Sequence, residues 1–149
     1  MSLKDRISQD MKDALRAKDR DRLGAIRLLQ AAIQRRELDE RTTLDDATVA
    51  LVAEKLIKQS RDAVEQFSKG GREDLVAKEN RDIAVWQAYL PEQLADAELD
   101  ALIADVVAET GAASTKDMGR VMGVLKPKVQ GRADMGKVSG KVKARLSAG

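Results

Sequence analysis

Apolar side chains recur every three or four residues in seven stretches of this chain, and this spacing most limits the fold it can adopt. In the third stretch, Val49, Val52 and Leu56 fall on one face of a helix. Aromatic residues make up 2% of the chain and charged residues 35%, a composition typical of soluble helices. The sequence therefore predicts an all-α fold with little or no sheet.

The ends of these helices are marked by residues that stop or cap them. Ser2 with Asp5, and Ser114 with Asp117, have the spacing of a capping box, so we expect the first and sixth helices to begin there. Pro127 lies inside the sixth apolar stretch, and we expect it to kink the helix or end it early.

Pro91 divides the chain into two predicted domains. Proline cannot continue the fourth helix, and it disfavours the helical conformation at Leu90. A chain of 149 residues is long enough to form two small helical cores. We therefore predict a four-helix N-terminal domain in residues 1–91 and a three-helix C-terminal domain in residues 92–149.

The chain contains neither cysteine nor histidine, which excludes thiol nucleophiles, imidazole bases, disulfide bonds and ordinary zinc sites. Acidic pairs such as Asp45 with Asp46 and Glu73 with Asp74 remain. They stand at predicted helix starts, where acids stabilise the helix dipole. We therefore predict no catalytic residue, no metal site and no cofactor.

Charge is distributed unevenly along the chain. Residues 1–111 carry 18 Lys or Arg against 23 Asp or Glu, a net charge of −5. Residues 112–149 carry 9 Lys or Arg against two Asp, a net charge of +7. This C-terminal excess of positive charge predicts an anionic partner, with nucleic acid the first candidate.

The glycines of the sixth helix lie away from its apolar face. On a helical wheel, Gly119 and Gly123 fall about 100° to 140° from Met118, and Lys116 and Arg120 flank them. A glycine exposed in the middle of a helix costs about 1 kcal/mol relative to alanine. A surface that must approach a ligand closely would offset this cost.

The seventh helix repeats the arrangement of glycines and cations, and together the two helices define the candidate nucleic-acid site. We predict that it comprises Lys116, Gly119, Arg120, Gly123, Lys126, Lys128, Gly131, Arg132, Lys137, Gly140, Lys141, Lys143 and Arg145.

Two interpretations of this surface stay open. A phosphate-sugar backbone lies against the bare glycines in the first, while in the second the glycines let another helix pack closely and the lysines only maintain solubility. The aromatic residues Phe67, Trp86 and Tyr89 all lie outside the basic region, so no base-stacking platform is available there. A bound nucleic acid would therefore be recognised by its shape and phosphates.

Short motifs along the whole length resemble those of the YqeY family, the free-standing proteins of the GatB/YqeY domain group. In the N-terminal half they are Ile26 to Leu29 with Ala32-Ile33, Gly71-Arg72, Asp74-Leu75, Lys78-Glu79, Tyr89 to Pro91 and Gln93-Leu94. In the C-terminal half they are Met118-Gly119, Val121 to Gly123, and Gly131 to Asp134, followed by Val138, Val142 and Leu146. The family usually has Ser or Thr where this chain has Ala95, so we expect Asp96 to take over the cap of the fifth helix.

The resemblance implies two helical subdomains, the second similar to the tail domain of GatB, a component of the tRNA-dependent aspartyl/glutamyl amidotransferase. That tail recognises tRNA, and the chemistry lies in other domains and subunits. The family label, carbon-nitrogen ligase with glutamine as amido-N-donor, therefore does not require activity here. The resemblance implies a tRNA-binding accessory protein.

Two other functions remain open. The first is an adaptor that docks on an amidotransferase or aminoacyl-tRNA synthetase subunit. The second is an enzyme acting on glutamine or aminoacyl-tRNA, which we consider weaker because Ser114 and Ser139 with nearby lysines are commonplace surface residues.

The first residues bear on the location of the protein. Lys4, Asp5 and Arg6 stand where a secretory signal would need apolar residues, so we predict a cytoplasmic protein. No apolar stretch is long enough to span a membrane. The sequence does not determine the oligomeric state.

Overall fold

The computed structural model describes residues 1–148, and within that range it contains α-helices and no strand. The predicted all-α fold is therefore confirmed. The seven helices are α1 (Leu3–Ala17), α2 (Arg20–Glu40), α3 (Asp46–Lys69), α4 (Glu73–Gln87), α5 (Asp96–Thr110), α6 (Met118–Val129) and α7 (Met135–Ala148). The chain forms two compact units, Met1–Leu90 and Pro91–Gly149, each with its own apolar core.

Helices α1 to α4 form the N-terminal unit around a core that includes Ile26, Leu29 and Val49. Trp86 of α4 is also buried there, and its indole Nε1 donates a hydrogen bond of 2.8 Å to the carbonyl oxygen of Ala25. A buried indole N–H needs such a partner, because leaving it unpaired would cost free energy. This bond fixes α4 against the N-terminal half of α2.

The acidic residues at helix starts act as caps. Ser2 and Asp5 form the predicted capping box of α1. The Asp45 carboxylate accepts a hydrogen bond of 2.9 Å from the Thr48 amide and so caps α3. Hydrogen bonds from the Thr48 side chain and backbone lower the pKa of Asp45. These contacts account for Asp45 as the residue that caps α3.

The bounds of α4 and α6 differ in detail from the sequence predictions. Helix α4 ends at Gln87, before Pro91, because Tyr89 and Leu90 continue the backbone with tighter hydrogen bonds to residues three positions earlier. Helix α6 continues through Pro127 as far as Val129, so proline removes one donor without ending the helix. The Ser114–Asp117 capping box opens a single 3-10 turn, and α6 begins only after it.

Helices α5, α6 and α7 form the C-terminal unit. Their inward faces meet in a separate core that includes Leu99, Ile103, Leu125 and Val142, each at most 2% exposed. The turn between α6 and α7 contains Gly131, whose φ of 75° is a left-handed conformation that glycine adopts without strain. This core places the remaining faces of α6 and α7 toward solvent.

Helix α5 begins without a side-chain cap, which corrects the expectation that Asp96 would replace the missing one. Ala95 occupies the N-cap position in an extended conformation, and its backbone amide donates a bond of 3.2 Å to Glu98. Only half of a capping box is therefore present, because alanine has no acceptor for the amides of the first turn.

The substitution Ala95→Ser should supply the missing acceptor. We expect it to raise the free energy of unfolding of the C-terminal unit by about 1 kcal/mol, measured by urea denaturation with circular dichroism. Ala97→Ser, at an exposed position inside the same helix, is the matched control and should give no gain. Equal effects at both positions would contradict the assignment of Ala95 as the cap.

Candidate nucleic-acid interface

The glycines of α6 are exposed and contact no other part of the described chain. An ideal Cβ built on Gly119 or Gly123 meets no heavy atom within 4 Å beyond the neighbouring helix backbone. Val121 and Leu125 of the same helix are fully buried on its opposite side. Within residues 1–148, therefore, no helix packs on these glycines in the way that the second interpretation requires.

Helix α7 presents a second glycine surface built in the same way. Residues 118–126 read MGRVMGVLK and residues 135–143 read MGKVSGKVK, with five of the nine positions identical. Gly140 lies in open space like Gly123, and a Cβ on Gly136 would meet only the carboxylate of Asp134, at 3.6 Å. Both α6 and α7 therefore expose glycine backbone while their valines form the core.

A lysine lies beside the glycines on each of these helices. At 100° per residue, Lys126 is within about 60° of Gly119 and Gly123 on α6, and Lys143 holds the same position relative to the glycines of α7. Both lysines are exposed. A ligand that reached the bare backbone would therefore find a cation next to it on either helix.

Other predicted cations are held by acids of the same unit. Lys137 and Lys141 of α7 bind Asp96 and Asp100 of α5, the second pair with an Nζ to Oδ1 distance of 2.8 Å. The hydrogen bond from Lys137 and, to a lesser extent, the charges of both lysines lower the pKa of Asp96. These two lysines connect α7 to α5, so their charge is not free for a ligand.

Three more cations have partners within the C-terminal unit. The Arg120 guanidinium lies 3.1 Å from Asp117, and the Lys128 ammonium lies 3.8 Å from Glu109. Arg132 donates a bond of 3.2 Å from Nε to the carbonyl oxygen of Glu92. In the part of the chain that the structure describes, the predicted cations without such a partner are Lys116, Lys126, Lys143 and Arg145.

Gly131 differs from the other predicted glycines because it is buried. A Cβ there would lie 3.4 Å from Cδ of Pro91, and the carbonyl oxygen of Gly131 accepts a bond of 2.8 Å from the Gln93 side chain. The backbone of Arg132 also accepts a bond of 2.8 Å from the Leu94 amide. This loop holds the start of the unit in place, and it is not part of the exposed glycine surface.

No group of three acidic side chains in residues 1–148 is placed to hold a metal ion. The Ser114 hydroxyl accepts a bond from the Lys116 amide, so it serves the backbone of the turn. No helix in the same range is long and apolar enough to cross a membrane.

The fold and this surface define a class of all-α proteins in which a larger helical unit is followed in the chain by a smaller one with exposed glycines. The family model described as Yqey-like protein matches residues 4–146. The chain belongs to the YqeY-like family.

Curated relatives are named "Altered inheritance of mitochondria protein 41, mitochondrial". The chain is 32% identical over 146 residues to the Pyrenophora tritici-repentis protein, covering 96% of this chain and 80% of that one. It is 39% identical over 85 residues to the Eremothecium gossypii protein, covering 56% and 46%. The Saccharomyces cerevisiae protein is 33% identical over 95 residues, covering 63% and 51%. The matches span about half the length of the last two relatives.

These names place the relatives in mitochondria and contradict the predicted cytoplasmic location. The predicted cytoplasmic location is wrong because it rested on Lys4, Asp5 and Arg6 alone. They do not distinguish the cytosol from an organelle.

Proposed function

We propose that this protein is a tRNA-binding accessory factor whose C-terminal unit docks on the sugar-phosphate backbone and carries out no catalysis of its own. One observation carries the proposal. The exposed helix glycines Gly119, Gly123 and Gly140 lie in open space beside lysines that have no acidic partner in residues 1–148. A bare helix backbone lets an RNA strand approach more closely than any side chain would allow.

The distribution of charge supports a phosphate ligand over a base-specific one. Lys126 and Lys143 can each neutralise a phosphate, and releasing the counterions of those phosphates supplies binding free energy. The C-terminal unit contains no aromatic residue on which a base could stack. Double-stranded RNA read by shape and phosphates fits such a surface, and single-stranded RNA does not.

The choice of tRNA among structured RNAs rests on the resemblance of residues 92–149 to the tail domain of the amidotransferase component GatB. That tail is a tRNA-recognising appendage of its enzyme. The free-standing chain would then deliver or retain tRNA for a partner that performs the chemistry.

The double variant Lys126→Glu/Lys143→Glu tests the proposal. We expect its affinity for a tRNA transcript to fall at least about tenfold at fixed salt. The slope of log Kd against log salt concentration should also fall by about 2, because two phosphate contacts are lost. Fluorescence anisotropy of labelled tRNA over a series of salt concentrations measures both quantities.

The control must change charge equally without touching the glycine surface. Lys12→Glu/Lys58→Glu does so, because both lysines are exposed residues of the N-terminal unit. It should leave most of the affinity and of the salt slope intact. Equal loss in both double variants, or binding that is independent of salt, would show that the surface does not bind RNA. Capture of an amidotransferase or synthetase subunit after nuclease treatment would then favour the adaptor function.

A further inference from the structure

A second candidate site lies in the N-terminal unit, where residues of α2, α3 and α4 line a cavity of about 300 Å³ that is broadly open to solvent. Its apolar lining includes Leu28, Leu56 and Trp86, and its polar lining includes Ser60 and Asp82. This volume is at the lower end of the range of small-ligand sites. The cavity is independent of the glycine surface, since every lining residue belongs to the N-terminal unit.

Asp82 is the residue that the sequence pattern did not anticipate. It is only 6% exposed, next to Ile83 on the inward face of α4. One carboxylate oxygen, Oδ2, accepts a bond of 3.0 Å from Lys78 Nζ. The other oxygen, Oδ1, has no hydrogen-bond partner among the described residues. Within residues 1–148, every side-chain nitrogen or oxygen that is completely buried does have a hydrogen-bond partner, so Oδ1 of Asp82 is not completely buried. That second oxygen is therefore accessible, and Asp82 is one of the residues that line the cavity.

Ser60 presents a second open polar atom to the same space. The residue is 7% exposed in the middle of α3, and its hydroxyl forms no hydrogen bond with any described residue. By the same reasoning, the hydroxyl is not completely buried, and Ser60 is one of the residues that line the cavity. Asp82 and Ser60 are thus both more than nine-tenths buried, both line the same cavity, and each has an acceptor oxygen without a hydrogen-bond partner among the described residues.

Asp82 brings little obvious benefit to folding. Burying a carboxylate costs free energy unless it is fully paired. Its single partner, Lys78, has a side chain that is 52% exposed, and such half-solvated pairs contribute little stability. The hydrogen bond that Lys78 donates to Asp82 raises the pKa of Lys78, which keeps the lysine charged. An apolar residue at position 82 would pack in the core without the free-energy cost of burying a carboxylate. Binding of a ligand therefore explains the carboxylate better than packing does.

We infer that this cavity binds an alkylammonium group. The open oxygen of Asp82 and the hydroxyl oxygen of Ser60 accept two of the three ammonium N–H bonds. Leu28, Leu56 and the Trp86 side chain pack against the alkyl chain. Such a group comes either from a small amine or from a lysine side chain of a partner protein.

Trp86 makes this inference directly testable because it is the only tryptophan in the chain. The full-length protein is titrated with n-butylammonium, and separately with a blocked pentapeptide that has lysine in the centre and alanine elsewhere. The readout is the NMR resonance of the Trp86 indole N–H. We expect saturable shifts with the ammonium probes and none with n-butanol at matched ionic strength. Tighter binding of n-butylammonium would identify a small amine as the source, and tighter binding of the peptide a protein side chain.

Variants of the two charged residues separate binding from folding. Asp82→Asn should weaken binding of the ammonium probe about tenfold, whereas Asp62→Asn, an exposed carboxylate of α3 outside the cavity, should not change it. Lys78→Met removes the internal competitor and should tighten binding. Asp82→Leu should abolish binding without lowering Tm, an outcome that a purely structural role for Asp82 does not allow. Failure of both probes to saturate, or unchanged binding in Asp82→Asn, would overturn the inference.

Discussion

Replacing Gly123 and Gly140 with alanine should make the protein more stable and, at the same time, a weaker RNA ligand. Each added methyl group would extend into open space, because no atom beyond the neighbouring helix backbone lies within 4 Å of it. Alanine is favoured over glycine in an exposed helix by about 1 kcal/mol per position, so we expect the double variant to gain about 2 kcal/mol. The same methyl groups should hold the RNA backbone away and weaken binding about tenfold, equivalent to about 1.4 kcal/mol.

Gly24→Ala provides the matched control for this prediction. Gly24 is an exposed glycine inside α2, and a Cβ there also meets no atom within 4 Å. It should stabilise the N-terminal unit by about 1 kcal/mol and leave RNA affinity unchanged. Urea denaturation and tRNA anisotropy measure the two effects. A Gly123→Ala/Gly140→Ala variant that kept full affinity would show that the bare backbone is not needed for binding.

The second large effect is expected at Tyr89, which connects the last turn of the N-terminal unit to α1. Its hydroxyl donates a bond of 2.6 Å to Oδ2 of Asp10, and the guanidinium carbon of Arg6 lies 5.1 Å from the ring centroid. Burial and the bond to Asp10 raise the pKa of Tyr89, so it remains a neutral donor. Tyr89→Phe should lower the free energy of unfolding by about 1.5 to 3 kcal/mol, the usual range for a hydrogen bond to a charged group.

A double-mutant cycle with Asp10→Asn tests the origin of this loss. If the bond between the two side chains is responsible, the double variant should lose clearly less stability than the two single losses combined. Trp86 fluorescence during urea denaturation reports on the N-terminal unit, where the residue is buried. Asp13→Asn, an exposed carboxylate on the same helix, should change stability by no more than about 0.5 kcal/mol. Additive losses would mean that Tyr89 stabilises the unit through packing alone.

The positions of the exposed glycines could be predicted from the sequence. Which lysines and arginines lack an acidic partner could not. The angle of Gly119 and Gly123 from the apolar face depends only on the helical repeat, and their exposure in the structure agrees with it. Lys137 and Lys141 are equivalent to Lys143 by local spacing, but they are bound to Asp96 and Asp100, 41 residues away in the chain. Only the packing of α5 beside α7 brings those charges together.

Burial at single positions follows the helical repeat and not the polarity of the side chain. Leu38 extends the apolar run of α2, but at 100° per residue it lies about 140° from Ile33, and it is 71% exposed. Asp82 is charged, but the same repeat places it within about 40° of Trp86 on the inward face of α4, and it is buried. The type of side chain alone therefore does not predict burial at these two positions.

The sequence by itself determined the all-α fold, most helix starts and the positions of the exposed glycines. These features depend on interactions between residues at most four positions apart, in caps, turns and helical repeats. Only the tertiary structure decided which lysines and arginines of the C-terminal unit lack an acidic partner. It also decided that Asp82 and Ser60 line one cavity. Those properties depend on distances between residues far apart in the chain, which packing sets and local spacing does not.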